Sequence, residues 1–190
     1  MKYDVILAGV GGQGVLSVAA VIALGAKNSG LSVRQSEVHG MAQRGGAVQA
    51  HLRLSDRTIV SDLIGKASAD MILSMEPIES LRYLEYLKAE GVLITSSDPV
   101  KNISNYPELE EIYARIRCLP SSRLIEAADL AREAGFARST NMVMVGAASA
   151  YLPVEVKHLL EAIGELFSRK GEKVVETNRR AFEKGRDAAA

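Results

Sequence analysis

The first 40 residues change from a continuous apolar run to a helical repeat and back to an apolar run. Residues 3–8 form the first run, which is typical of a parallel strand covered on both faces. Residues 13–28 repeat apolar positions on nearly every side of a helix, and Gly30 is placed to end that helix. Residues 31–38 form a second strand. This order predicts a strand-helix-strand unit, which is right-handed if its strands are parallel.

The next strand differs because apolar and polar residues alternate from 47 to 54. Its polar positions are Gln49, His51 and Arg53. We therefore expect one face of this strand to meet solvent or a partner. A turn at residues 55–57 leads into a short strand at 58–60, which predicts an antiparallel excursion beside a parallel sheet.

The rest of the chain alternates strands and helices and then becomes helical throughout. The predicted strands are 71–75, 92–95 and 116–119. The predicted helices begin at Pro77 (ending at Gly91), at Pro107 and at Ser121 or Ser122 (ending at Ala134), and then cover 141–151, 154–168 and 172–186. We predict an α/β fold in one domain, residues 1–190, with a doubly wound, mostly parallel sheet, an antiparallel excursion and a helical C-terminal section.

Composition argues against several classes of function and location. The 190 residues include 23 basic and 23 acidic side chains, so no net charge favours nucleic acid or an anionic membrane. No segment approaches the roughly 20 apolar residues that span a bilayer. Glycines break the N-terminal apolar run too early for a signal peptide, so we expect a cytoplasmic protein without membrane or nucleic-acid contacts.

A glycine-rich loop follows the first strand. Gly9, Gly11 and Gly14 match G-x-G-x-x-G between a strand and a helix, and Gly12 and Gln13 complete the loop. Such glycines allow backbone N–H groups at a helix start to approach phosphate oxygens. The simpler interpretation is a tight turn that only packs the strand against the helix.

A nicotinamide dinucleotide site would also need an acid about 20 residues after the loop. Glu37 is the only acid in that region, where Arg34, Gln35 and Ser36 precede it. The sequence therefore departs from the usual fingerprint, and NAD binding is the less favoured interpretation.

A second motif, Ser36–Gly46, follows the second strand. The carboxyl end of a strand beside the glycine loop is where open α/β sheets bind ligands. His39 and Arg44 could join the helix start in a local positive pocket.

Each residue of this motif also has a structural interpretation. Arg44 could pair with Glu37, Gly45 and Gly46 could only turn the chain, and His39 could bond a loop carbonyl. As a group, the motif favours a binding site.

The glycine loop and the second motif together resemble the paired signature of the small, gamma-type subunits of 2-oxoacid:ferredoxin oxidoreductases. The form His-Gly-Met-Ala-Gln-Arg-Gly-Gly at 39–46 is similar to the indolepyruvate branch, whose small subunit is subunit beta. Pyruvate and 2-oxoglutarate branches more often carry a Tyr-Gly-Pro-Glu-type loop before Arg-Gly-Gly. Weaker similarity continues at 69–70, 76–77, 141–147 and 178–185.

The resemblance implies oxidative decarboxylation of a 2-oxoacid with coenzyme A (CoA), giving acyl-CoA, carbon dioxide and reduced ferredoxin. This chemistry needs thiamine diphosphate with magnesium and iron–sulfur clusters. It also implies that this chain carries none of these cofactors, forms a hetero-oligomer with a large subunit that holds them, and contacts CoA. Ferredoxin would be reached through the complex.

The chain's own residues agree with that division. Cys118 is its only cysteine, and a typical cluster needs four thiolates. There is no Gly-Asp-Gly followed by an Asn-containing segment to hold thiamine diphosphate. We expect Cys118 to be a small buried side chain in its strand, and we assign no catalytic or metal-binding residue.

Three other interpretations stay open at this point. The two loops could form the subunit interface instead of a CoA site, with the polar face of the 47–54 strand as a second contact. The chain could be a small NAD(P)-dependent dehydrogenase, or a nucleotide-binding module without activity.

Overall fold

The computed structural model describes residues 1–39 and 45–190, with His39 described through its backbone. Within these residues the strands are β1 Lys2–Val10, β2 Ser32–His39, β3 Ala47–Ser55, β4 Ala69–Ser74, β5 Leu87–Ser96 and β6 Ser122–Ile125. The α-helices are α1 Val15–Asn28, α2 Pro77–Arg82, α3 Leu109–Arg117, α4 Ala127–Glu133, α5 Thr140–Ser149, α6 Val156–Phe167 and α7 Glu172–Ala189. Short 3₁₀ turns lie at Leu84–Tyr86, Ala137–Ser139 and Ser168–Lys170.

The six strands form one sheet in the order β2-β3-β1-β4-β5-β6. β1, β4, β5 and β6 are parallel neighbours, whereas β3 is antiparallel to both β1 and β2. β2 therefore runs in the same direction as β1 with β3 inserted between them. The predicted antiparallel excursion is confirmed, but it consists of β3 itself, because residues 58–60 form no strand.

Helices cover both faces of the sheet, as predicted. Alternate side chains of β1 point to opposite faces, so Val5 and Leu7 join the core under α1, α4, α5, α6 and α7, whereas Ile6 joins the core under α2 and α3. The doubly wound fold with a helical C-terminal section is confirmed.

The helix predicted from Pro77 to Gly91 is shorter than expected. α2 ends at Arg82, and the strand β5 has already begun at Leu87. Gly91 lies inside this strand, where an added Cβ would stand 2.6 Å from Leu87 Cδ1 and 3.0 Å from the Ala69 carbonyl oxygen. Here the glycine permits a close backbone approach between strands rather than ending a helix.

The strand predicted at 116–119 is also wrong. Ile112 and Ile116 are buried one helical turn apart, and α3 continues to Arg117. Cys118 is exposed at the end of α3 and is not a buried strand residue. The strand lies later, at Ser122–Ile125. Neither Ser121 nor Ser122 therefore caps α4. In the first turn of α4, the Ala128 N–H donates to Asp98 Oδ2 at 2.8 Å.

The polar face of β3 is covered rather than open. Gln49 and His51 are buried, and Arg53 forms a two-point ion pair with the fully buried Asp4, at 2.9 and 3.1 Å. Arg53 also donates to the carbonyls of Ser61 and Leu63, which holds residues 61–64 beside this face. The expectation that this face meets solvent or a partner is therefore wrong.

His51 is a neutral hydrogen-bond acceptor in this layer. Its Nδ1 accepts from the Ile64 N–H at 2.9 Å, and its ring meets Tyr86 edge-on. Burial, and then the charge of Arg53, lowers the pKa of His51 from its ordinary 6.5, against a smaller opposing effect of Asp4.

We predict that His51 makes the fold less stable in mild acid. Because the unfolded histidine takes up a proton more readily than the folded one, its contribution is complete above about pH 6.5 and is lost as the pH falls below that value. Urea unfolding from about pH 8 to about pH 5.5 should show a falling free energy of unfolding. His51→Gln should flatten this slope, and an unchanged slope in the variant would contradict the assignment.

The closest helix packing joins α5 to α7. An added Cβ at Gly146 would stand 1.9 Å from the Phe182 carbonyl oxygen, and one at Gly185 would stand 1.9 Å from the Val143 carbonyl oxygen. The two helix backbones therefore touch, and no side chain fits between them.

We expect Gly146→Ala to lower the free energy of unfolding by about 3 kcal/mol or more, since backbone rather than a flexible side chain must move. Gly164→Ala in α6 is the matched control, because its new methyl meets only the mobile end of Arg179. Thermal and urea unfolding should show the control to be neutral or up to about 1 kcal/mol stabilised. Equal stabilities of the two variants would contradict this packing.

Candidate functional site

The glycine loop lies at the carboxyl edge of the parallel strands. Gly9 lies within β1, where an added Cβ would be 2.9 Å from Val15 Cγ2 and 3.1 Å from Met75 Cβ, so helix and strand pack without a side chain between them. Gly12 and Gly14 have positive φ angles of 105° and 80°. Glycine adopts these conformations without the strain that a side chain would bring.

Gln13 stabilises the loop through both ends of its amide. Its Oε1 accepts from the Val10 N–H at 2.8 Å, and its Nε2 donates to the Met75 carbonyl at 2.9 Å. The side chain therefore connects the loop to the end of β4, and its amide is already occupied by these contacts.

The structure joins the second motif to the glycine loop through its last two residues. The Gly11 N–H donates to the Gly46 carbonyl at 2.8 Å, and the Gly45 N–H donates to the Gly11 carbonyl at 3.2 Å. Gly45 has a φ of 75°, which explains why glycine occupies this turn. The glycine loop and the Gly45-Gly46 turn thus form one surface.

The other residues of the second motif lie in different places. The backbone of His39 ends β2 opposite Val48. Glu37 is exposed on β2, where its Oε1 accepts from Gln35 Nε2 at 2.6 Å. Residues 40–44, which include Arg44, lie outside the described residues.

Glu37 is not brought next to the glycine loop, because β3 separates its strand from β1. Two strand spacings place it roughly 10 Å from β1. In a dinucleotide fold, the ribose-binding acid ends the strand beside β1. The NAD-type arrangement is therefore not favoured here.

A groove of about 410 Å³ opens beside the loop. Its lining residues are Val10, Gly11, Gly12, Gly14, Val15, Leu16 and Val48. The first turn of α1 contains no acidic residue, and no side-chain hydrogen bond caps it. The groove thus combines the positive end of a helix with an apolar wall, which suits a ligand with an anionic part and an apolar part.

Sequence reasoning missed a third element of this edge, the loop 97–107 that follows β5. Asn102 Nδ2 donates to the Gly45 carbonyl. The base of the loop is held by Glu76, which is fully buried and accepts from the Val100 N–H at 3.3 Å and from the Tyr106 hydroxyl. Burial, and then this bond, raises the pKa of Tyr106.

One signal could have pointed to Glu76. It directly follows a buried strand and precedes Pro77 at the start of a helix, and its Oε2 accepts from the Glu79 N–H at 2.9 Å. Acids at this position commonly cap helices, although the cap itself says nothing about a loop 24 residues further on.

Residues 1–39 and 45–190 contain neither a candidate membrane span nor a candidate metal site. No helix there is long and apolar enough to cross a membrane. Within the same residues, no group of three or more His, Cys, Asp or Glu side chains could hold a metal ion.

The sheet order and this edge define the class of the molecule: a doubly wound α/β domain with a candidate ligand-binding surface at the carboxyl ends of its strands. The pyruvate ferredoxin/flavodoxin oxidoreductase family matches residues 4–188. The chain belongs to this family and is a subunit of a 2-oxoacid:ferredoxin oxidoreductase complex.

Two similar proteins are subunits of indolepyruvate oxidoreductases, and a third is a subunit of a 2-oxoglutarate synthase. The chain is 35% identical to indolepyruvate oxidoreductase subunit IorB of Archaeoglobus fulgidus, over 100% of this chain and 96% of that protein. It is 36% identical to the same subunit of Pyrococcus horikoshii, over 99% and 96%. A 2-oxoglutarate synthase subunit, KorC of Methanothermobacter marburgensis, is 32% identical over 98% and 96%.

Solved structures share the fold. The gamma subunit of a keto/oxoacid ferredoxin oxidoreductase from Geobacter sulfurreducens has a TM-score of 0.72 at 26% identity, covering 98% of both chains. A 2-oxoglutarate:ferredoxin oxidoreductase from Magnetococcus marinus, with 2-oxoglutarate, coenzyme A and succinyl-CoA bound, has a TM-score of 0.78 at 23% identity. The match covers 99% of this chain and 31% of that one, and at this identity it shows the fold alone.

We predict that Gln13→Ala destabilises the chain by about 1 to 3 kcal/mol, because it removes both bonds of the amide and leaves the Val10 N–H without its acceptor. Urea unfolding measures this loss. Gln35→Ala on the exposed edge strand is the matched control and should change stability by less than about 0.5 kcal/mol. A Gln13→Ala protein as stable as the control would contradict the role of Gln13.

Proposed function

We propose that this chain is the small subunit of an indolepyruvate, or arylpyruvate, ferredoxin oxidoreductase in the cytoplasm, and that residues 1–190 act there as one domain. The observation that carries this proposal is the full-length identity of 35–36% with two IorB subunits. The motif at 39–46 supports the same branch.

The proposed reaction converts a 2-oxoacid and CoA into acyl-CoA and carbon dioxide. The carbon–carbon bond to the carboxylate breaks, a thioester bond forms, and two electrons pass to ferredoxin. When bound, thiamine diphosphate stabilises the carbanion and iron–sulfur clusters carry single electrons.

These cofactors belong, in this proposal, to a large partner subunit. Cys118 is the only cysteine, and its exposed position at the end of α3 offers one thiolate where a typical cluster needs four. The small subunit therefore contributes a binding surface rather than the reacting centre.

We assign CoA to the groove beside the glycine loop. The first turn of α1 suits a phosphate, whereas Val10, Leu16 and Val48 suit the methyl and methylene groups of the arm that ends in the thiol. Arg44 and His39 are the proposed charged and polar contacts. Both belong to the second motif, Ser36–Gly46, whose last two residues are hydrogen-bonded to the glycine loop.

The complex can be tested by co-expressing the chain with a candidate large subunit from its genomic neighbourhood. Dye reduction that depends on both arylpyruvate and CoA should appear with the two chains together and fall by at least about tenfold without the small one. Equal activity without the small subunit would overturn the proposal. Tight nicotinamide binding by the isolated chain would favour the dehydrogenase alternative.

We predict that Arg44→Ala raises the KM for CoA in the reconstituted complex by roughly tenfold or more, because a charged contact to phosphate is worth about 1.5 to 3 kcal/mol. The KM for arylpyruvate should stay unchanged. Arg117→Ala at the exposed end of α3 is the control for lost charge. An Arg44→Ala complex with an unchanged KM for CoA and unchanged turnover would exclude the CoA contact.

A further inference from the structure

We infer that Asn102 is a positioning residue that sets the affinity of the glycine-loop surface for CoA, and that it acts through Gly45. This inference rests on the proposed function, because it assigns a further residue to the same groove. It does not require Asn102 to touch the ligand.

Hydrogen bonds hold Gly45 at both of its backbone polar groups. The Gly45 N–H donates to the Gly11 carbonyl at 3.2 Å, and the carbonyl of Gly45 accepts from Asn102 Nδ2. An added Cβ on Gly45 would have Asn102 Nδ2 as its nearest neighbour, at 3.9 Å. Asn102 therefore lies directly over the turn that supports Gly11.

Gly11 links this turn to the ligand groove. It lines the groove, and its N–H donates to the Gly46 carbonyl at 2.8 Å. A rotation of the peptide that joins Gly45 to Gly46 would weaken both hydrogen bonds of Gly11, because each of these two residues makes one of them, and it would change the shape of the groove wall. Glycine has no side chain to resist such a rotation, so the restraint must come from the partner of its carbonyl.

The restraint is effective because the loop carrying Asn102 is anchored in the interior. The Asn102 N–H donates to the Val100 carbonyl at 2.8 Å, and the Val100 N–H donates to the buried Glu76 carboxylate at 3.3 Å. The Tyr106 hydroxyl donates to the same carboxylate from the other end of the loop. A continuous set of bonds thus runs from a fully buried acid to the surface of the groove.

The side chain of Asn102 is exposed, so its loss should affect binding more than folding. A single hydrogen bond contributes enough to change an equilibrium by roughly three- to tenfold. Asn102→Ala in the reconstituted complex should therefore raise the KM for CoA about three- to tenfold, with kcat and the thermal midpoint of the isolated chain unchanged. Asn102→Asp should have at least this effect, because a carboxylate cannot donate to a carbonyl.

Asn105 provides a matched control in the same loop. It is also exposed, and it forms no side-chain hydrogen bond with any residue in 1–39 or 45–190. Asn105→Ala should leave the KM for CoA unchanged. If Asn102→Ala is indistinguishable from Asn105→Ala in an active complex, the inference is overturned while the proposed function stands.

A double-mutant comparison tests whether the anchoring of the loop at Glu76 is what holds Asn102 in place. Tyr106→Phe removes one bond at the anchor and should also raise the KM for CoA. Because both residues act through one loop, the double variant should resemble the stronger single variant rather than the product of the two effects. If the two substitutions instead multiply their effects on the KM for CoA, the anchoring at Glu76 does not act through Asn102.

Amide hydrogen exchange in the isolated full chain separates the two proposals. Asn102→Ala should speed exchange at the Gly11 and Gly45 amides at least threefold, with no change in the core of β1. If the wild-type complex shows no CoA-dependent turnover, the proposed function fails and the effect on CoA fails with it, whereas the exchange result still reports the positioning. Unchanged exchange at both amides would overturn the positioning itself.

Discussion

The structure depends on β1, which is hydrogen-bonded along both edges and buried from Asp4 to Val10. Antiparallel β3 occupies one edge and parallel β4 the other. Because neither edge nor face of β1 is free, the position at which the strand ends is fixed on every side. The Met75 N–H donates to the Ala8 carbonyl at 2.9 Å, and Gly9 has no room for a side chain. Because the glycine loop follows directly from this fixed end of β1, its starting position is also fixed.

Much of the fold could be predicted because its signals are local. The apolar run of β1, the glycine loop and the three C-terminal helices each follow from periodicity within a short window. The strand order could not be predicted in this way, since nothing local places β3 between β1 and β2. Gly91 was misinterpreted for a related reason, because part of what leaves no room for a side chain there is the backbone of β4, which its own stretch of sequence does not reveal.

The candidate site shows the same division. The glycine loop was recognisable because its spacing and its position between strand and helix are both local features. Asn102 was not, because it has no motif and its role depends on a contact 57 residues away. The roles of two buried polar side chains could not be predicted from the sequence either. His51 and Glu76 hold surface loops, yet along the sequence they occupy positions that would suit a solvent-facing strand residue and a simple helix cap.

The contact between α5 and α7 has a consequence for the order of events during synthesis. α7 covers the core that α5 fills, and the last residues of α7 still contribute to it, since Ala189 is 2% exposed. A growing chain therefore cannot close this face of the sheet until α7 has left the ribosome. Before then, the surface of α5 that is buried from Met142 to Ser149 in the finished fold is open to chaperones and to aggregation.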